Sequence, residues 1–121
     1  LQEYTCVWSQ KQWESHQAAA RALDKTAAGA WAFIEKSLVD NQQVTEWDVQ
    51  QWIVKDLEKQ GCVAEDMPIC AVNANSANPH YVPSETNAEI IKRGDFILID
   101  LWCKQKAAGS VYADITRVGV A

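Results

Sequence analysis

Apolar and boundary residues recur at three- and four-residue steps through the first third of the chain: Trp13, His16, Ala20, Leu23, Ala27, Trp31, Ile34 and Leu38. Such spacing puts the side chains on one helical face. Ser9 stands just ahead of the pattern, where its hydroxyl can accept from the first free backbone N–H groups, and Gln12 can reach back to complete a capping box. A long amphipathic helix is therefore predicted from Ser9 to near residue 39. The polar stretch Asp40-Asn41-Gln42-Gln43 follows as a loop. Thr45 then caps a second helix, with Glu46 and Asp48 in the first turn, where acidic side chains favour the positive end of the helix dipole. Val49, Trp52, Ile53 and Leu57 form its apolar stripe, and Gly61 supplies the left-handed residue that commonly stops a helix.

The pattern changes after Gly61. Ile69-Cys70-Ala71-Val72 reads as a short buried strand, and residues 73–83 are rich in Asn, Ser and Pro, the residues of an ordered, turn-filled loop. Residues 96–103 and 111–120 read as two further strands joined by 104–110. The fold class expected is α+β, with two helices packed on one face of a small, mainly antiparallel sheet. No internal repeat is visible. Residues 1–8 read as a lead-in segment. The chain opens on Leu1 and closes at Ala121 within the apolar run 115–121, so both ends are expected to be cuts.

Composition narrows the function classes. A chain of 121 residues, 48% apolar with six tryptophans, can bury one core. Its 11 basic residues are dispersed among 16 acidic ones for a net charge of -5, which speaks against nucleic acid as the main partner. No apolar run approaches the roughly 18 residues that span a bilayer, and no secretory signal opens the chain, so a cytoplasmic protein without a membrane partner is expected. Cys6, Cys62, Cys70 and Cys103 form no C-x-x-C pair and read as buried free thiols.

Asp100 lies within Phe96-Ile97-Leu98-Ile99-Asp100-Leu101-Trp102, where an unpaired carboxylate carries a heavy desolvation penalty. With a hairpin turn centred near Ala107 and Gly109, Asp100 falls opposite Asp114, Trp102 opposite Tyr112 and Leu98 opposite Thr116. Two facing carboxylates repel unless they share a proton or a cation. Spacing alone leaves two readings open: a hard divalent cation held by both, or one aspartate solvated at a strand end.

The succession Asn78-Pro79-His80-Tyr81-Val82-Pro83, then Gly94-Asp95-Phe96-Ile97-Leu98-Ile99-Asp100, then Tyr112-Ala113-Asp114-Ile115-Thr116-Arg117 resembles the pita-bread metallopeptidases. That group includes methionine aminopeptidase, aminopeptidase P, prolidase and the metal-free creatinase, and the Pro-His-Tyr wording is closest to the proline-directed branch. The resemblance covers nearly the whole chain and implies the first half of a pita-bread catalytic domain. It implies a site for two divalent metal ions (Mn, Co, Fe or Zn), with Asp100 and Asp114 as the first two ligands. His80 would contact substrate and steady the developing oxyanion, and water activated between the paired metals would be the nucleophile. The expected reaction is release of the N-terminal residue of a peptide with proline second.

The family completes its ligand set with one His and two Glu later in its chain, and none follows Asp114 here, so these residues alone are expected to bind metal weakly and to be inactive. The family usually has Gly two residues after its first aspartate, where this sequence has Trp102, and the loop between the aspartates is longer by a few residues. Both departures bear on the pocket and the substrate.

Other residues have plainer readings. Tyr81 lines the pocket or packs in the core, and His16 is a core or boundary residue. Arg117, on the face opposite Asp114, forms a structural ion pair, and Asn73, Asn75 and Asn78 close turns through side-chain to backbone bonds. A second reading from another class is a non-catalytic pita-bread protein that binds peptides or protein partners in its groove. A homodimer covering the sheet edge is a further expectation.

Overall fold

The computed structural model describes residues 9–64, 66–106 and 109–121. The lead-in expected over residues 1–8, Cys6 within it and the predicted turn centre at Ala107 lie outside the described residues. Helix α1 spans Gln10–Val39, and both halves of the predicted capping box form: Gln12 N–H donates to Ser9 Oγ at 3.2 Å, and Ser9 N–H donates to Gln12 Oε1 at 2.9 Å. The buried stripe is rotated from the predicted one toward Ser15, Ala19, Ala22 and Thr26, and is built of smaller side chains. Ala19, Ala22, Leu23, Ala27, Ala30 and Ile34 face the core, while Trp31 and Leu38 sit at its margin and Trp13 is 46% exposed. The small side chains let α1 approach its neighbours closely, and its tryptophans are turned to the edges.

Helix α2 (Glu46–Lys59) has its own capping box at Thr45 and Asp48, and Gly61 follows it with a φ of 76°. Val49, Ile53 and Leu57 are buried as the stripe predicts, and Trp52 lies at the boundary against α1. A polar clamp also joins the helices. Thr26 Oγ1 donates to Asp56 Oδ2 at 2.7 Å, and Gln60 Nε2 reaches both Thr26 Oγ1 and Asp56 Oδ2, at 2.6 and 2.9 Å.

The sheet is built on β3 (Phe96–Gln105). It pairs antiparallel with β2 (Ile69–Val72), with β4 (Ala113–Val120) and, near its end, with β1 (Cys62–Val63), a two-residue strand too short to leave a pattern in the sequence. Period-2 alternation assigns the faces. Ile97, Ile99, Leu101 and Cys103 point to the helices and are fully buried, whereas Phe96, Leu98, Asp100 and Trp102 point away. Both helices thus lie on one face of a small antiparallel sheet, as expected. Cys62, Cys70 and Cys103 are free and buried.

Gly29 is where α1 admits Trp52, whose ring stacks on Phe33 with centroids 5.9 Å apart. A methyl at Gly29 would overlap Trp52 Cη2. Helix propensity alone favours Gly29→Ala by about 1 kcal/mol. Overpacking of a ring held between two helices costs about 1–3 kcal/mol, so the expected net effect is destabilisation. Urea unfolding checks this, and a G29A midpoint above that of the wild type would show that Trp52 can move aside.

Candidate active site

Asp100 and Asp114 stand on the sheet face turned away from the helices. The register differs from the predicted one by two residues: Asp100 pairs with Thr116, Trp102 with Asp114 and Leu98 with Val118. The reason lies in the lead into β4. Val111 N–H donates to Ser15 Oγ at 3.1 Å, and His16 Nδ1 is 2.9 Å from the Tyr112 carbonyl. These bonds draw residues 111–112 onto α1 instead of onto β3, so the strand begins at Ala113. His16 is accordingly a tether between α1 and the hairpin, in keeping with its boundary reading. A two-residue slip preserves side-chain parity, so both carboxylates remain on one face, as diagonal neighbours with Cα atoms roughly 7–8 Å apart.

Asp100 is half-buried and accepts a hydrogen bond from Thr116 Oγ1 at 3.1 Å, whereas Asp114 is exposed. Around them the face is apolar, with Val118 and Val120 58% and 68% exposed. The donor set is two hard carboxylates, which suits a divalent cation of the manganese-to-zinc series or magnesium. Two carboxylates make an incomplete shell, and among the described residues no group of three or more His, Cys, Asp or Glu could hold a metal. Arg117 points to the other face and pairs with Asp24 of α1 at 3.0 Å, the structural ion pair expected of it.

His80 is exposed on the loop after β2. Pro79 and Pro83 stiffen that loop, and the His80 N–H donates to Asn78 Oδ1 at 2.9 Å in an Asx turn. Among the described residues no hydrogen bond or ion pair joins His80 to either aspartate. Asn73, in the left-handed region at φ 49°, clamps the start of the loop. Its Oδ1 accepts from Phe96 N–H, and its Nδ2 donates to Asp95 Oδ1, both at 3.1 Å. A short 3-10 helix, Asn73–Ala77, follows.

Sequence reasoning missed the residue that organises this loop. Glu46, read as a dipole-favoured residue of the first turn, has no exposed surface. Its carboxylate accepts from Val72 N–H at 2.7 Å, Glu89 N–H at 2.8 Å, Asn75 Nδ2 at 3.2 and 3.3 Å, and the Tyr81 hydroxyl. Asn75 therefore bonds a side chain and not backbone, and the Tyr81 donor is committed to Glu46. Each partner is a donor, so the buried group is compensated as a carboxylate must be. An acidic residue at a helix start carries no sequence mark of burial; only the packing of four distant donors around it reveals the role.

Residues 11–121 match the family model for metallopeptidase family M24. The chain is 36% identical over 106 residues to a Mycoplasma genitalium protein named "Putative Xaa-Pro aminopeptidase", covering 84% of this chain and 26% of that protein. A Mycoplasma pneumoniae protein of the same name is 37% identical over 79 residues, covering 61% of this chain and 20% of that protein. The chain thus spans about a quarter or less of the curated relatives' length. Among solved structures, prolidase from Pyrococcus furiosus superposes with a TM-score of 0.72 at 26% identity, over 94% of this chain and 32% of that one. The fold is that of the first part of a pita-bread domain.

The buried network makes stability fall at alkaline pH. Tyr81 is held above the ordinary phenol pKa, first by burial and then by its bond to Glu46. Burial raises the Cys70 thiol, with the Glu46 charge adding to it, and Cys103 is pushed up to about 12, chiefly by burial and then by Cys62. In the unfolded chain these groups ionise near roughly 8.5 for thiols and 10 for tyrosine. Above those values the unfolded state binds fewer protons than the native one, so stability is lost as pH rises. Urea midpoints should decline from about pH 8.5 upward, and Tyr81→Phe should make the decline shallower above about pH 10. A Y81F curve parallel to wild type through that range would contradict the assignment.

Proposed function

The chain belongs to metallopeptidase family M24, and on that premise we propose that it forms the first half of the catalytic domain of an Xaa-Pro aminopeptidase or prolidase. The observation that carries the reading is the placing of two carboxylates, Asp100 and Asp114, on one open sheet face within the family-matched region. The similarity to proteins named as Xaa-Pro aminopeptidases and to a prolidase supports the proline-directed substrate.

In this reading Asp100 and Asp114 hold one side of a two-metal site. Bound there, divalent ions supply Lewis-acid activation of water and of the scissile carbonyl. Thr116 fixes one oxygen of Asp100 by hydrogen bonding, which holds that carboxylate in a single orientation toward the site. His80 donates to the carbonyl oxygen as negative charge gathers on it. The ring of Tyr81, half-buried next to His80, lines the pocket while its hydroxyl stays on Glu46. The exposed apolar surface of Val118 near Asp100, continued along the same sheet face by Phe96 and Val120, suits an uncharged substrate side chain. The remaining ligands lie outside these residues, so the 121-residue chain alone is inactive and binds metal weakly.

The test uses the complete protein. Calorimetric titration with manganese or cobalt, run beside cleavage of an Xaa-Pro peptide, should show tight binding and turnover. Asp100→Ala with Asp114→Ala should abolish both, lowering turnover by at least roughly a thousandfold, as loss of a group that stabilises developing charge does. Absence of binding and turnover in both proteins would instead favour a metal-free groove that binds peptides. Turnover by the 121-residue chain alone would overturn the division of the site.

A further inference from the structure

We infer that Glu46 is a positioning residue for His80, holding the substrate-contacting loop in place through a buried hydrogen-bond hub. The inference rests on the reading of His80 as the group that meets the scissile carbonyl.

The four donors lie along one segment of the chain. Val72 ends β2, Asn75 sits in the 3-10 turn, Tyr81 adjoins His80, and Glu89 closes the loop. One carboxylate therefore gathers the segment 72–89 at its start, its middle and its end. Glu46 itself is held by the first turn of α2, whose cap is complete. Backbone bonds then seat the helix start on the end of the loop: Glu46 N–H donates to the Glu89 carbonyl at 3.0 Å, and Ile91 N–H donates to the Val44 carbonyl at 2.8 Å. Among the described residues His80 has only local support of its own, the Asx turn from Asn78. Its side chain is exposed, and the nearest residue with a long-range anchor is Tyr81, whose hydroxyl reaches Glu46. The aspartates are held differently, by the eight-pair β3–β4 ladder and Thr116. Loss of the hub should therefore displace His80 and leave the carboxylates where they are.

The conservative change is informative. A Gln at position 46 keeps the shape but replaces one acceptor oxygen with an NH2 group, which would face the N–H of Val72 or of Glu89. Two donors would then be aimed at each other in a buried site. Tyr81→Phe is gentler. It removes one bond, leaves Glu46 three donors and preserves the ring.

The experiment uses the complete protein loaded with manganese, in wild-type, Tyr81→Phe, Glu46→Gln, His80→Ala and Tyr81→Phe/His80→Ala forms. Y81F should lower kcat by roughly tenfold or more, the scale of a misplaced catalytic group, with manganese affinity unchanged by calorimetry. It should have no further effect once His80 is already Ala. A Y81F protein with wild-type kcat, or one whose defect multiplies with that of H80A, overturns the inference, since a purely structural loss would act regardless of His80. Wild-type kcat in H80A would instead remove His80 from the reaction, and the inference with it.

A readout independent of turnover is the His80 ring Cε1–H resonance of the same complete proteins without manganese, whose paramagnetism would erase it, identified by its absence in H80A. It should move toward the random-coil position in Y81F and in any folded E46Q. An unshifted resonance in Y81F contradicts the positioning role whether or not the protein turns over peptide.

Discussion

A carboxylate with no exposed surface sits in the first turn of α2, and the order of the loop between β2 and β3 depends on it. Burial of Glu46 is costly in itself. The cost is offset because the α2 amino terminus places positive dipole beside it and four donors close around it. Those donors come from a segment of eighteen positions, 72–89, that has little apolar material of its own. The loop borrows its order from a helix laid down earlier in the chain, and this is why Tyr81 and Asn75 face inward while His80 stands out.

The sheet contributes the other half of the site by a simpler rule. Parity along β3 and β4 divides the hairpin into a face that packs on the helices and one that carries Asp100, Asp114 and Thr116. The helix-facing side of β3 is apolar from Ile97 to Cys103, so a register error of one residue would expose Ile97, Ile99 and Leu101 and is strongly disfavoured. A shift of two residues leaves every face unchanged. Core burial therefore guards the shared face of the two carboxylates, while the exact pairing is set by the bonds between α1, at Ser15 and His16, and the lead into β4.

Much of this was legible in the sequence because the signals were local. Ser9 with Gln12, and Thr45 ahead of Glu46 and Asp48, marked both helix starts to the residue, and alternation through Ile97, Ile99 and Leu101 marked the central strand. That Asp100 and Asp114 share a face was legible from strand parity, although they are diagonal neighbours and not the facing pair expected, and the ordered motifs around His80 pointed to the M24 family. The hub was not legible. Val72, Asn75, Tyr81 and Glu89 lie 26 to 43 positions from Glu46, and no spacing rule links donors so distant to one acceptor. The β4 register was not legible for a related reason: residues 111 and 112 are held by α1 and not by β3.

Amide hydrogen exchange on wild-type and Glu46→Ala protein, followed residue by residue, addresses the dependence of the loop on this one carboxylate. Protection at Val72, Tyr81 and Glu89 should collapse in the variant while Ile97, Ile99 and Leu101 in β3 keep theirs. Equal protection of the 72–89 segment in the two proteins would show that the loop is ordered without Glu46 and would contradict the account.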